Sequence, residues 1–308
     1  MIGPPQACFQ WQCVFGMVLI ATWTSQPMPS SAKDSEGDDK PAFLSREYSS
    51  AFEDSDLALA YRHRPPYPAE TFRVLSDLMA GPSRRVLDLG CGTGFICRPL
   101  ALLTDHIDAV DLSEAMPDQG RISAGGDHPN IEWRLGPAET VTLSGLYDLI
   151  TLGESLQWMD WPVIMLRASQ LLTEQGLLVI LRNGQGPVPW GPDLMAVIRR
   201  FETPVGQDRR RVDLERELTQ RGLFKVVGRA RVGPEPYVQS VADYIEGFHG
   251  RSTLSRERMA RANAESFDGE VRELIERCGV REVTINLHAN IVWGRPIIDG
   301  NRSLRTAA

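Results

Sequence analysis

A surplus of positive charge is missing from this sequence: 33 Lys and Arg residues stand against 40 Asp and Glu, giving a formal net charge of -7. Such a balance supplies no long-range attraction to phosphate backbones. The one dense basic cluster, Arg209-Arg210-Arg211, falls short of the broad stripe that a nucleic-acid footprint takes, so nucleic acid is not an expected partner. Cysteine is also scarce. The five (Cys8, Cys13, Cys91, Cys97 and Cys278) are odd in number and lack paired ligand spacing, which argues against a disulfide framework and against a zinc site. Long apolar runs are absent as well: Val14 to Thr22 is too short to cross a bilayer. No Lys or Arg precedes Lys33, so that run lacks the basic start of a secretory leader. These absences lead us to expect a cytoplasmic protein with no membrane partner. Residues 1–41 are read as an N-terminal extension, disordered in its polar part from Ser25 to Lys40.

What is present suits a folded enzyme-sized domain, because 42% hydrophobic and 24% charged residues allow a substantial core. Helical patterns run over Glu53 to Ala60 and Ala69 to Ala80, separated by the turn Arg64-Pro65-Pro66-Tyr67-Pro68. Arg85 to Leu89 reads as a strand stopping at Gly90-Cys91-Gly92-Thr93-Gly94, with a helix over Phe95 to Leu103. Further strands are expected over His106 to Val110, Ile131 to Leu135, Tyr147 to Leu152 and Gly176 to Leu181, with a helix over Trp161 to Leu172. Past Arg182 come a Gly/Pro-rich loop to Pro192 and helices near Asp193 to Phe201 and Val212 to Arg221. Phe224 to Val232 and Thr284 to Trp293 close the count at seven strands, with a helical insertion over Val241 to Cys278. Alternating strands and helices imply a doubly wound, mostly parallel α/β sheet, so residues 42–308 are read as one domain.

The chemistry concentrates where a glycine loop joins a strand to a helix. Residues without side chains let backbone amides approach a ligand, and Asp111 at the end of the next strand is placed to accept from ribose hydroxyls. The loop reads Gly-x-Gly-x-Gly, not the Gly-x-Gly-x-x-Gly of nicotinamide sites. Asp88 upstream of it would repel a pyrophosphate and attract a cationic amino acid group.

On these residues the chain resembles the class I methyltransferases, in particular the branch containing trans-aconitate methyltransferase and the ubiquinone-pathway C-methyltransferases. The resemblance is carried by Val86 to Gly94, by Asp111-Leu112-Ser113-Glu114-Ala115-Met116 and by Gly136-Pro137-Ala138-Glu139. Tyr147 to Ile150 with Ser155 to Trp158, and the lead-in Tyr61 to Pro68, extend it. It implies a Rossmann-like fold and S-adenosyl-L-methionine as cofactor. Asp88 and the backbone of Gly90, Gly92 and Gly94 would hold the methionine portion, with Tyr61 and Arg64 covering that end and Gly153 nearby. Asp111 and Leu112 would take the ribose, Ala138 and Glu139 the adenine. Pro137 departs from the family, standing where relatives often carry a polar side chain.

The acceptor is expected to be a small molecule, with Glu154, Gln157, Trp158 and His249 as candidates on its side of the site. Two other readings remain at this stage: a nicotinamide-dependent oxidoreductase, and a binding protein that keeps the fold without turnover.

Overall fold

The computed structural model describes residues 54–298, apart from Pro82 and 203–211. The expected extension over 1–41 and the cluster Arg209-Arg210-Arg211 lie outside the described residues. Two helices lead in, α1 (Ser55–Tyr61) and α2 (Glu70–Asp77). The alternating body follows: β1 (Arg85–Leu89), α3 (Cys97–Leu100), β2 (His106–Asp111), α4 (Ala115–Ile122), β3 (Ile131–Leu135), β4 (Tyr147–Gly153), α5 (Trp161–Leu171) and β5 (Leu172–Gln185). The remainder is α6 (Gly191–Phe201), α7 (Leu214–Gln220), β6 (Phe224–Ser240), α8 (Val241–His249), α9 (Arg261–Arg277) and β7 (Glu282–Pro296).

The seven strands form one sheet in the order β3-β2-β1-β4-β5-β7-β6. The first five are parallel to their neighbours, while β7 runs antiparallel to both β5 and β6. This is the doubly wound, mostly parallel sheet that the alternation predicts. Central strands such as β1 and β4 are buried almost throughout, which is why they read as short apolar runs. Strand order reverses between β1 and β4, since the path from β1 goes out through β2 to β3 and returns to the parallel strand β4 on the other side. Ligands of open α/β sheets bind outside the carboxyl ends of the strands at such a switch point.

Each face of the sheet carries its own layer. Leu75 and Met79 pack with Cys97 and Leu100 over Val86, Leu149 and Val179. Trp161, Ile164, Met165 and Leu218 cover the opposite face over Leu87, Ile150 and Leu178. α5 starts where its pattern predicts, with the Asp160 carboxylate accepting from the Val163 amide at 3.1 Å. A third cluster joins α6, α8 and α9 to Val283, Ile285 and Leu287 of β7, with Trp190, Phe248 and Phe267 at its centre.

Three expectations on extent need correction. β5 and β6 run on to Gln185 and Ser240, beyond the expected Leu181 and Val232, because pairing with β7 continues across a register shift between Val232 and Glu235. The helix expected over Phe95 to Leu103 is confined to Cys97–Leu100, followed by a tighter turn over Ala101–Leu103.

At the edge away from the glycine loop, fully buried Asp108 accepts from the Tyr147 hydroxyl at 2.7 Å and from the Arg134 guanidinium, with His106 at 3.0 Å. Burial works to raise its pKa, but the Tyr147 and Arg134 hydrogen bonds and the His106 charge outweigh that and hold it below the usual range. A carboxylate with a depressed folded pKa contributes stability that is present above its unfolded value and lost as pH falls. Asp108→Ala is therefore expected to cost about 2 to 3 kcal/mol at pH 7. Chemical denaturation at pH 7 and below pH 4 checks this: the gap to wild type should shrink on acidification.

Candidate cofactor cleft

The carboxyl ends of β1, β2 and β4 surround a cleft of about 850 Å³, counting its open mouth. Its floor is the glycine loop. The Gly90 and Cys91 amides both donate to the Val110 carbonyl, at 2.8 and 3.0 Å, so the loop is tied across the top of β2. Gly90, Gly92 and Gly94 all have positive φ, a conformation that side chains resist. Their surroundings differ. A Cβ at Gly90 would meet Ser155 at 2.5 Å and one at Gly94 would meet Trp133 at 2.7 Å, whereas one at Gly92 would meet nothing nearer than Tyr61 at 3.8 Å. Gly92 is therefore the residue whose backbone faces open space, and Gly94 serves packing.

Asp111 fixes this floor to the next wall. Its Oδ2 accepts from the Gly92 amide at 2.7 Å and its Oδ1 from the Ser113 amide at 3.0 Å. Burial raises its pKa, and the amides of Ser113, Gly92 and Leu112 partly offset the rise. Leu112 lies beside it with Met116, while Gly136 to Glu139 form the far wall. Glu139 does more than line the cleft, since its carboxylate also accepts from the Asp160 amide at 3.0 Å and so orients the start of α5.

The mouth is framed by Tyr61, Gly153, Glu154 and Trp158. Glu154 holds a positive φ of 54°, unusual for a side-chain-bearing residue, and its Oε1 accepts from the Asn183 amide at 2.9 Å. Arg64 stands just outside, its guanidinium 4.7 Å from the centre of the Tyr61 ring. Gln157 turns away from the cleft, donating to the Glu154 carbonyl at 2.6 Å and stabilising the turn beneath it.

Two further expected residues lie outside the cleft. His249 is buried against Phe267 of the third cluster, with Nδ1 2.7 Å from the Leu254 carbonyl and Nε2 2.7 Å from Asp268, so it joins α8 to α9 and does not reach the acceptor side. Asp88 lies under the loop, off the cleft wall. Strand alternation turns it to the same face as Val86, where the Thr151 hydroxyl donates to its Oδ1 at 2.8 Å. Its buried Oδ2 has no hydrogen-bond partner among the described residues. Sequence reasoning missed Ser113, Met116, Ser155 and Met159 as lining residues. Each belongs to a motif that the resemblance quotes or adjoins, so position within the motif was the available signal.

Burial lifts the pKa of Asp88 from 3.8 to about 7; the Thr151 hydroxyl opposes the rise and the Asp111 charge adds to it. The folded chain then holds a proton that the unfolded chain has released, so stability falls as pH rises from about 4 to 7. Asp88→Asn keeps the shape and removes the charge. At pH 8 it is expected to be the more stable protein, by at most about 4 kcal/mol at roughly 1.4 kcal/mol per pKa unit. Thermal melts across pH check the sign: an advantage that fails to shrink towards pH 4 contradicts this account.

Comparison with known proteins agrees with this geometry. Residues 86–176 match the family model described as a methyltransferase domain. A Dictyostelium discoideum protein named as a methyltransferase is 28% identical over 161 residues, covering 52% of this chain and 54% of its own length. The ubiquinone biosynthesis O-methyltransferase of Bradyrhizobium diazoefficiens is 30% identical over 97 residues, covering 31% of this chain and 38% of its own. The chain thus spans about half or less of the length of these curated relatives. Among solved structures, a type II methyltransferase from Anaeromyxobacter dehalogenans superposes with a TM-score of 0.56 at 20% identity, covering 75% of this chain and 97% of its own, which is a likeness of fold. Residues 86–176 thus resemble a methyltransferase domain, and the order of all seven strands is that of the class I methyltransferase fold.

Proposed function

We propose that this chain transfers the methyl group of S-adenosyl-L-methionine to a small-molecule acceptor. The observation that carries the reading is the junction of Gly92 and Asp111: an open backbone position and a half-buried carboxylate, hydrogen-bonded to each other at 2.7 Å, wall one cleft at the switch point of the sheet.

The residues fit that cofactor. Asp111 has lone-pair capacity left for ribose hydroxyls after serving its backbone amides, and Leu112 with Ala138 offers apolar surface for a purine. Beneath the loop, Asp88 carries a buried carboxylate oxygen without a partner, which favours a cationic ligand above it and disfavours a pyrophosphate. Bound in this cleft, S-adenosyl-L-methionine supplies a sulfonium methyl group for attack by the acceptor.

The protein's own share is placement. Tyr61, Trp158 and Met159 limit the water that reaches the mouth, and holding the reactants in line is worth roughly 7 to 11 kcal/mol. Glu154, Trp158 and Tyr61 form the edge from which an acceptor would approach, and the Glu154 to Asn183 hydrogen bond keeps that edge fixed. The named acceptors of the relatives are not carried over.

Saturating cofactor separates this reading from an oxidoreductase. At about 100 times its Kd, S-adenosyl-L-methionine is expected to stabilise the fold by roughly 2.7 kcal/mol. A thermal shift with NAD and none with S-adenosyl-L-methionine would reverse the assignment. Asp111→Ala is expected to weaken cofactor binding by about 1.5 to 3 kcal/mol, measured by calorimetry, through loss of charge-assisted hydrogen bonds. Unchanged affinity would remove Asp111 from the site.

A further inference from the structure

The segment that covers the open glycine comes from before the sheet. Tyr61 closes α1, and its ring edge lies 3.8 Å from where a Cβ on Gly92 would sit, so the ring stands over the backbone that faces the cleft. Arg64 stacks on that ring at 4.7 Å, and the Phe95 ring stands 5.8 Å from it. With the amino acid end of the cofactor over the loop, Tyr61 and Arg64 are the side chains above that end. Their position follows from where the backbone of residues 61–64 runs.

α8 supplies the bed for that backbone. A Cβ at Gly247 would meet the His63 carbonyl oxygen at 2.9 Å and the Arg64 amide nitrogen at 3.8 Å. One at Gly250, which caps the helix, would meet the Tyr61 Cα at 3.1 Å and the Arg64 side chain at 3.3 Å. Backbone cannot yield as the tip of a side chain can, so the lead-in lies this close because the two positions carry no side chain. One turn earlier on the same face, Asp243 Oδ1 is 2.8 Å from His63 Nδ1. The other ring nitrogen of His63 accepts from Arg62 Nε at 3.0 Å, which leaves Nδ1 as the donor to Asp243.

The rest of α1 is tied down from two sides. Leu57 and Ala58 are buried against Met116 of α4, which itself lines the cleft. At the start of the helix the Asp56 amide donates to Glu257 at 3.4 Å and Arg258 lies 3.5 Å from Asp54, both partners coming from the segment after α8. Glycine weakens a helix relative to alanine, and neither Gly247 nor Gly250 has the positive φ that would call for it. In a helix of nine residues, the contact with the lead-in is the physical reason for both.

We propose that Gly247 and Gly250 are positioning residues of the cofactor site: the glycine face of α8 sets the height of the lead-in and so holds Tyr61 and Arg64 down on the amino acid end of the bound cofactor. Neither glycine lines the cleft itself; both act through the lead-in. The insertion between β6 and β7 is then part of the cofactor site. This inference rests on the cofactor reading above.

Alanine at either position suits the helix and adds a methyl group at the contact, which lifts the lead-in. 5′-Methylthioadenosine separates the two ends of the cofactor, because it has the purine, the ribose and the sulfur but no amino acid group. By calorimetry on the full chain, Gly247→Ala and Gly250→Ala are each expected to weaken S-adenosyl-L-methionine by about tenfold or more, while 5′-methylthioadenosine stays within about threefold of wild type. Gly269→Ala in α9, where a Cβ would meet nothing within 4 Å, is expected to change neither. Unchanged S-adenosyl-L-methionine affinity in either folded variant, or an equal loss for 5′-methylthioadenosine, overturns the proposal. A melt without ligand identifies a variant that has lost its fold, and the other then decides; loss of fold in both assigns the contact to stability and likewise overturns it. Absence of S-adenosyl-L-methionine binding in the wild type overturns the cofactor reading instead.

Discussion

One carboxylate ties the working edge of this sheet together. Asp111 accepts from the Gly92 amide on one side and the Ser113 amide on the other, so the loop after β1 and the turn after β2 cannot move independently. Such bonds to an ionised group are stronger than neutral ones, and burial keeps water from competing for them. The open face of Gly92, the position of Leu112 and the depth of the cleft all follow from that tie. The turn at Gly136 joins the same frame, because its amide donates to the Asp111 carbonyl at 2.9 Å.

The two ends of the strands treat buried negative charge in opposite ways. At the amino end Asp108 is surrounded by Arg134, His106, Arg85 and the Tyr147 hydroxyl, and its pKa is depressed. At the carboxyl end buried Asp88 and half-buried Asp111 have hydroxyl and amide donors only, and both pKa values rise. Uncompensated buried charge is costly, and a site that tolerates it is a candidate for completion by a ligand of opposite sign. That contrast supports a cationic nucleoside in the cleft.

Much of this arrangement is legible in the sequence. β1, β2 and β4 are short apolar runs closed by glycine or aspartate, and a parallel central strand buried on both faces produces that pattern. The glycine loop and Asp111 could be placed because both sit within a few residues of a strand end. The placement of Asp88 beneath the loop was also implicit in strand alternation, which sets it on the Val86 face. Other features depended on contacts distant in sequence. Asn183 binds Pro65 118 residues away, and nothing local announces it. The β6 strand continues through Gly233-Pro234, a pair that reads as a break, because β7 supplies the partner. His249 was misplaced for a related reason: a lone histidine does not declare which helix face will be buried, and here Tyr244, Ile245 and Phe248 carry it into the core.

The most direct test of the central claim is a crystal structure of the chain grown with S-adenosyl-L-homocysteine. The account predicts ribose hydroxyls within hydrogen-bonding distance of Asp111, the purine between Leu112 and Ala138, and the amino acid end over the loop above Asp88. A nucleoside bound outside this cleft, or a ribose turned away from Asp111, would contradict it.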